Sequence, residues 1–143
     1  MMISTKGRYA LRILIDIAEN QGDAYVPLKE SADRQEISEK YLESIVNTLV
    51  RSGFVEGLRG KGGGYRLTRL PEQIVVYDVL TAMEGTLVPV ACLEEGSRIC
   101  PRMSVCQTLP MWSGLSDLVT EYLRRFTVRD LMKQNPDSYD YVI

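Results

Sequence analysis

Apolar residues recur every three or four positions over residues 4–20, where Ala10, Ile13, Leu14, Ile17 and Ala18 make one stripe. A first helix is predicted there, with Ser4 or Thr5 able to cap it. Asn20-Gln21-Gly22-Asp23 breaks the pattern, and Tyr25-Val26 reads as a short extended piece before Pro27, which favours a first helical turn. A second, short helix is expected over 27–35, and a third over 39–52 with Leu42, Ile45, Val46 and Leu49 on one face. Ser38 is its cap; the residue three beyond is Tyr41, so the cap is a simple one rather than a capping box. Gly53 stops the helix.

From Phe54 the period changes to two. Phe54-Val55-Glu56-Gly57-Leu58 and Gly64-Tyr65-Arg66-Leu67-Thr68 read as strands joined by Arg59-Gly60-Lys61-Gly62-Gly63, a glycine-rich hairpin. A further helix is predicted over 76–84, ending at Gly85. Residues 86–111 hold Pro89, Pro101, Pro110 and every cysteine without a sustained period, and read as a loop. A last long helix is expected over 112–125, with Leu115, Leu118, Val119, Tyr122, Leu123 and Phe126 along one stripe, and Thr127 to Met132 begin another short turn. The fold class predicted is mainly α with a small β-hairpin: a winged helix-turn-helix over 1–85, a cysteine loop over 86–111, and a long C-terminal helix with its tail over 112–143.

Three short helices and a hairpin suit DNA. The second helix of such a motif aims its first turn into the major groove, where base edges are distinguishable. Here that turn offers Ser38, Lys40 and Tyr41 as donors, followed by Glu43 and Ser44; Glu43 accepts only from a cytosine amino group and repels other sites. Lys61 and Gly62 at the hairpin tip let backbone and charge approach a phosphate strand, and Arg59 is long enough to enter a narrow minor groove. The same outline also serves plain protein-interaction modules. Gly60-Lys61-Gly62-Gly63-Gly64 is not a nucleotide phosphate loop, because Lys61 is followed by glycines and a strand rather than by Ser or Thr and a helix.

Charge sharpens this picture. The net charge of −2 would by itself argue against a nucleic-acid partner. It hides an asymmetry: residues 1–70 carry 11 basic and 9 acidic residues, whereas residues 71–143 carry 6 and 10. Within 51–70, Arg51, Arg59, Lys61, Arg66 and Arg69 stand against Glu56 alone, a field of the kind that attracts phosphate, although a solvated face is the simpler reading of charge taken alone. The chain's 143 residues, 45% of them apolar, suffice for a core without disulfide staples. Apolar runs such as Ile74-Val75-Val76-Tyr77 fall far short of the roughly 20 residues of a membrane span. The N-terminal stretch, broken by Arg12 and Asp16, predicts no secretory signal, so the cytoplasm is the expected location.

Cys92, Cys100 and Cys106 lie together, with seven and five residues between them. A reducing compartment disfavours disulfides, and structural zinc usually needs a close Cys pair with His or Cys partners, which this histidine-free chain lacks. An iron–sulfur cluster accepts thiolates from a loop, and clustering of all three cysteines within 92–106 favours it over three unrelated packing residues. A fourth ligand would come from Glu94 or Glu95, another chain, water or a small thiol. A cysteine-dependent enzyme is disfavoured, since without histidine a thiolate lacks its usual base.

The stretches Ile3-Ser4-Thr5-Lys6-Gly7-Arg8-Tyr9-Ala10-Leu11-Arg12, Val26-Pro27-Leu28, Arg34-Gln35, Ile37-Ser38, Tyr41-Leu42-Glu43, Arg59-Gly60 and Gly62-Gly63-Gly64-Tyr65 resemble the IscR family of bacterial winged-helix regulators, the superfamily that also holds NsrR and CymR. The likeness covers roughly residues 2–132. It implies a homodimer joined through the helix at 112–125, with Leu115, Leu118, Val119, Tyr122, Leu123 and Phe126 at the interface, and a palindromic double-stranded DNA operator. It also implies a 2Fe-2S or 4Fe-4S cluster on Cys92, Cys100 and Cys106. The histidine that some members carry three residues past the third cysteine is Leu109 here, and the first-helix carboxylate of the nitric-oxide-sensing branch is Arg8. Two functions are therefore expected: a regulator sensing iron–sulfur status, redox or nitric oxide through a cluster, or a cluster-free repressor controlled by a regulatory protein partner or thiol oxidation.

Overall fold

A computed structural model describes residues 3–133. The tail beyond Lys133, assigned above to the C-terminal unit, lies outside them. Helix α1 (Thr5–Asn20) is capped by Ser4, whose hydroxyl accepts from the Gly7 N–H at 3.3 Å. Its apolar stripe packs on α2 (Leu28–Gln35) and α3 (Glu39–Arg51). Ser38 caps α3 as a simple cap, accepting from the Tyr41 N–H at 3.2 Å. Between α2 and α3, Glu36 adopts φ 55° and ψ 44°, the left-handed conformation that closes many helices, here without a glycine.

Strands β1 (Val55–Leu58) and β2 (Gly64–Leu67) pair antiparallel with Val55 opposite Leu67 and Leu58 opposite Gly64. The extended piece at Tyr25-Val26 finds its partner in this hairpin. Val26 and Tyr65 exchange both backbone bonds, at 2.8 and 2.9 Å, so the hairpin is bolted to the α1–α2 connection. That close approach requires glycine at 64, since a Cβ there would run into the Val26 carbonyl, and φ is 144°.

Helix α4 (Val76–Glu84) follows as predicted and returns to α1. The main core is a cluster in which Ile13, Leu14, Ile17, Leu42, Ile45, Leu49, Ile74 and Val79 are fully buried, and a smaller one forms around Val76, Leu80 and Leu87. Each such side chain contributes about 1.5–3 kcal/mol relative to exposure. Residues 86–108 carry only two single 3-10 turns, at Ala91–Leu93 and Met103–Val105.

Helix α5 spans Leu109–Arg124, three residues earlier at its start than the periodicity indicates. The reason is Pro110, which falls in the first turn, where a missing N–H forfeits no helical bond. The helix closes before Phe126, whose carbonyl accepts from the Val76 N–H at 2.9 Å. Helix α6 (Val128–Leu131) is begun by a reciprocal cap between Thr127 and Asp130. No described helix is long and apolar enough to cross a membrane.

Candidate nucleic-acid interface and cysteine segment

The first turn of α3 stands clear of the core. Ser38, Lys40, Tyr41, Glu43 and Ser44 are all exposed, while Leu42, Ile45 and Val46 between them face inward. This alternation, a consequence of the helical period, delivers the five polar residues to one outer surface. Ser38 is engaged as the α3 cap, and two more of the five are held. The Tyr41 ring meets Tyr9 of α1 edge-on, with centroids 5.9 Å apart, and the Ser44 hydroxyl donates to the Tyr41 carbonyl at 2.7 Å.

In the wing, Arg59, Lys61 and their glycine neighbours Gly60 and Gly62 are exposed, with the Gly63 N–H closing the turn on the Gly60 carbonyl at 3.0 Å. Arg66 is occupied: its Nε donates to Glu56 at 2.6 Å and its guanidinium lies 4.6 Å over the Tyr25 ring. The Glu56 contact holds Arg66 above its ordinary pKa. Since Arg66 neutralises the one local acid, Arg51, Arg59, Lys61 and Arg69 keep the stripe positive, and among the described residues neither Arg59 nor Lys61 forms an ion pair.

Sequence reasoning missed what fixes the first helix of the motif. Asp16 on α1 is 2% exposed and accepts from Ser31 Oγ (2.6 Å), Arg34 Nε (3.0 Å) and Nη2 (2.9 Å), and Gln35 Nε2 (3.1 Å), all on α2. Arg12 donates in turn to the Gln35 side-chain oxygen at 3.1 Å and to its backbone carbonyl. Burial pushes the Asp16 carboxyl up, but the bonds from Arg34, Ser31 and Gln35 and the Arg34 charge outweigh it and hold the group below its ordinary 3.8. The signal was present: Asp16 adjoins Ile13 and Ile17 on the apolar side of α1, where a lone charge needs partners.

Cys92, Cys100 and Cys106 are free thiols, each partly exposed. Cys106 Sγ lies 3.5 Å from the Thr108 hydroxyl. That contact, with the Thr108 and Leu109 backbone N–H groups at the start of α5, holds the Cys106 thiol below its ordinary pKa. The three thiols share a segment without converging. Among the described residues, no group of three or more Cys, Asp or Glu side chains is gathered so as to hold a metal ion.

Along α5, no residue is fully buried. Leu118 is 65% exposed, Tyr122 55% and Leu115 39%, whereas Leu123 and Phe126 pack on Val76, Leu80 and Leu87 of their own chain. Val119 is half-buried and joins Ile3, Leu118, Tyr122 and Leu123 in lining an apolar groove of about 480 Å³.

Comparison with known proteins decides the family. Residues 3–134 match the Rrf2 family, described as iron-dependent transcriptional regulators. The chain belongs to the Rrf2 family. It is 40% identical to the protein rrf2 of Nitratidesulfovibrio vulgaris over 133 residues, covering 93% of this chain and 88% of that protein. It is 36% identical to the HTH-type transcriptional regulator IscR of Cronobacter sakazakii over 132 residues, covering 92% and 80% of the two chains. Among solved structures it is similar to CymR, the global cysteine regulator of B. subtilis, at TM-score 0.73 and 36% identity, covering 92% of this chain and 95% of that one. An Rrf2 chain of this kind is a DNA-binding transcriptional regulator and not an enzyme. The winged helix-turn-helix read from the pattern is the Rrf2 fold. The family description names iron dependence, which directs attention to the three cysteines. In this Rrf2 chain the donor chemistry matches, since three thiolates are soft ligands, but the arrangement does not, because the thiols are not gathered.

Proposed function

We propose that this Rrf2 regulator acts in the cytoplasm as a homodimer on a palindromic DNA operator, and that its cysteine segment sets operator affinity in response to iron–sulfur status, redox or nitric oxide. The carrying observation is the exposed surface built by α3 and the wing. Lys40 on α3 and Arg59 and Lys61 on the wing are cationic and open, and the wing is tied to the α1–α2 connection by the Val26–Tyr65 bonds. In this reading Ser38, Lys40, Tyr41, Glu43 and Ser44 enter the major groove, while Arg59, Lys61 and Gly62 follow the phosphate strand and the minor groove.

The dimer reading is supported by α5, which leaves Leu115 exposed and sets Leu118 and Tyr122 in the wall of an apolar groove. A second copy related by a two-fold axis covers both at once and spaces two recognition helices for two half-sites. Cys92, Cys100 and Cys106 are the residues that would hold a 2Fe-2S or 4Fe-4S cluster. The segment must close for them to do so. The separation of the thiols favours a second reading, a cluster-free repressor controlled by thiol oxidation or a protein partner, in which the three partly exposed sulfurs act individually.

The test is purification under nitrogen with iron and sulfide assays on the wild-type chain and on Cys92→Ala, Cys100→Ala and Cys106→Ala. Loss of iron in all three single variants from an iron-bearing wild type supports the shared-cluster reading. A colourless, iron-free wild type supports the cluster-free one, and full iron in any single variant contradicts a cluster shared by the three.

A further inference from the structure

Glu84 ends α4 and lies against the opposite end of α1. Its Oε1 accepts from the Ser4 backbone N–H at 3.0 Å and from the Ser4 hydroxyl at 2.6 Å. Ser4 is itself the α1 cap and binds the Gly7 N–H. A Cβ on Gly7 would collide with the same Oε1. Side-chain atoms of Ile3 and Leu80 come within 3.3 Å of the same position, so a side chain at 7 and the bound conformation of Glu84 exclude each other. Carboxylate, cap and glycine interlock.

The clamped turn leads directly to the operator-facing surface. Tyr9, two residues beyond Gly7, carries the ring against which Tyr41 of α3 is seated. On Tyr9 lies the Arg12 guanidinium, 5.0 Å from the ring centroid, and Arg12 also holds the Gln35 end of α2. We propose that Glu84 is a positioning residue for operator binding. By pinning Ser4 and Gly7 it fixes the first turns of α1, and through Tyr9 it fixes Tyr41 at the entry of the recognition helix. The inference rests on the reading of α3 as the DNA-facing helix. The two hydrogen bonds are exposed, so their loss leaves the core intact and acts on placement rather than on folding.

Three full-length chains decide it: wild type, Glu84→Gln, which keeps an acceptor oxygen but loses the charge, and Glu84→Ala, which loses both. Affinity is measured for a duplex that the wild type enriches from a random-sequence library, at a temperature where thermal melts show each chain folded. Amide hydrogen exchange is followed at Ser4 and Gly7. Glu84→Ala is expected to bind roughly tenfold more weakly and to exchange both amides faster, with Glu84→Gln within about threefold of wild type. Ser4→Ala, which removes the hydroxyl's bonds to Glu84 and to the Gly7 N–H but keeps the bond from the Ser4 backbone N–H, is expected to lose affinity to an intermediate degree and replaces Glu84→Ala if that chain does not fold. Wild-type affinity in Glu84→Ala overturns the proposal, as does unchanged exchange at Ser4 and Gly7 or a loss in Glu84→Gln equal to that in Glu84→Ala. Failure of the wild type to enrich any duplex would instead refute the operator-binding reading itself.

Discussion

Asp16 supplies one buried carboxylate with four donated bonds, and the consequences of removing it are those of orphaning buried donors. Asp16→Ala is expected to destabilise the fold by about 3 kcal/mol in urea unfolding, because Ser31 and Gln35 lose their acceptor and Arg34 its counter-charge. The pH dependence follows from the lowered carboxyl pKa. Its stabilisation is complete above the unfolded value near 3.8 and is lost as pH falls below it through the lower folded value. Wild type should therefore lose stability below about pH 4 more steeply than Asp16→Asn, and parallel acid profiles of the two would remove Asp16 from the account. At the DNA surface, Arg59→Ala is expected to weaken operator binding by about 1–3 kcal/mol. A gel shift equal to wild type would take Arg59 out of the interface. Glu43→Ala should instead loosen discrimination between sites, since a carboxylate in the groove repels as well as selects; site selection that returns the wild-type motif would deny it that role.

Among the elements, α5 is split along its length. Leu118 is open while Leu123 packs on Val76, Leu80 and Leu87, so aspartate at the two positions should act differently. Leu118→Asp is expected to yield a folded monomer with a near-wild-type melting temperature, whereas Leu123→Asp should lower the melting temperature by burying a charge in its own chain. Light scattering that still finds a dimer for Leu118→Asp places the interface elsewhere. Helix periods, the Ser38 cap and the change to period two at the wing were legible because each is set by neighbours in sequence. What was not legible depends on contacts distant in sequence. The Val26–Tyr65 pairing and the α4–α1 clamp join residues that no local pattern links, and the single stripe read from Leu115 to Phe126 divides between two partners only once α4 is in place. The start of α5 was hidden for a local reason, since proline marks loops and first turns alike.

Across the whole molecule, the surface proposed to face the operator and the cysteine segment occupy different parts of one chain. The proposed function requires that the state of the second alter the affinity of the first. The segment leaves α4 at Gly85 and ends at the start of α5, so it lies between the core of the winged domain and the helix proposed to join two copies. A change in the segment can therefore bias the spacing of two recognition helices without touching either. The family was legible from the first helix, recognition helix and wing motifs together; the ungathered cysteines could not be anticipated from spacing, since seven and five intervening residues permit both a closed and an open segment. The most direct measurement is the operator affinity of wild-type protein prepared under nitrogen, before and after exposure to air or nitric oxide, beside a chain in which Cys92, Cys100 and Cys106 are all alanine. Exposure is expected to change wild-type affinity by on the order of five- to 150-fold, the usual range of coupling between sites, and to leave the alanine chain unchanged. Equal wild-type affinity in both states, or the same change in the alanine chain, would contradict it.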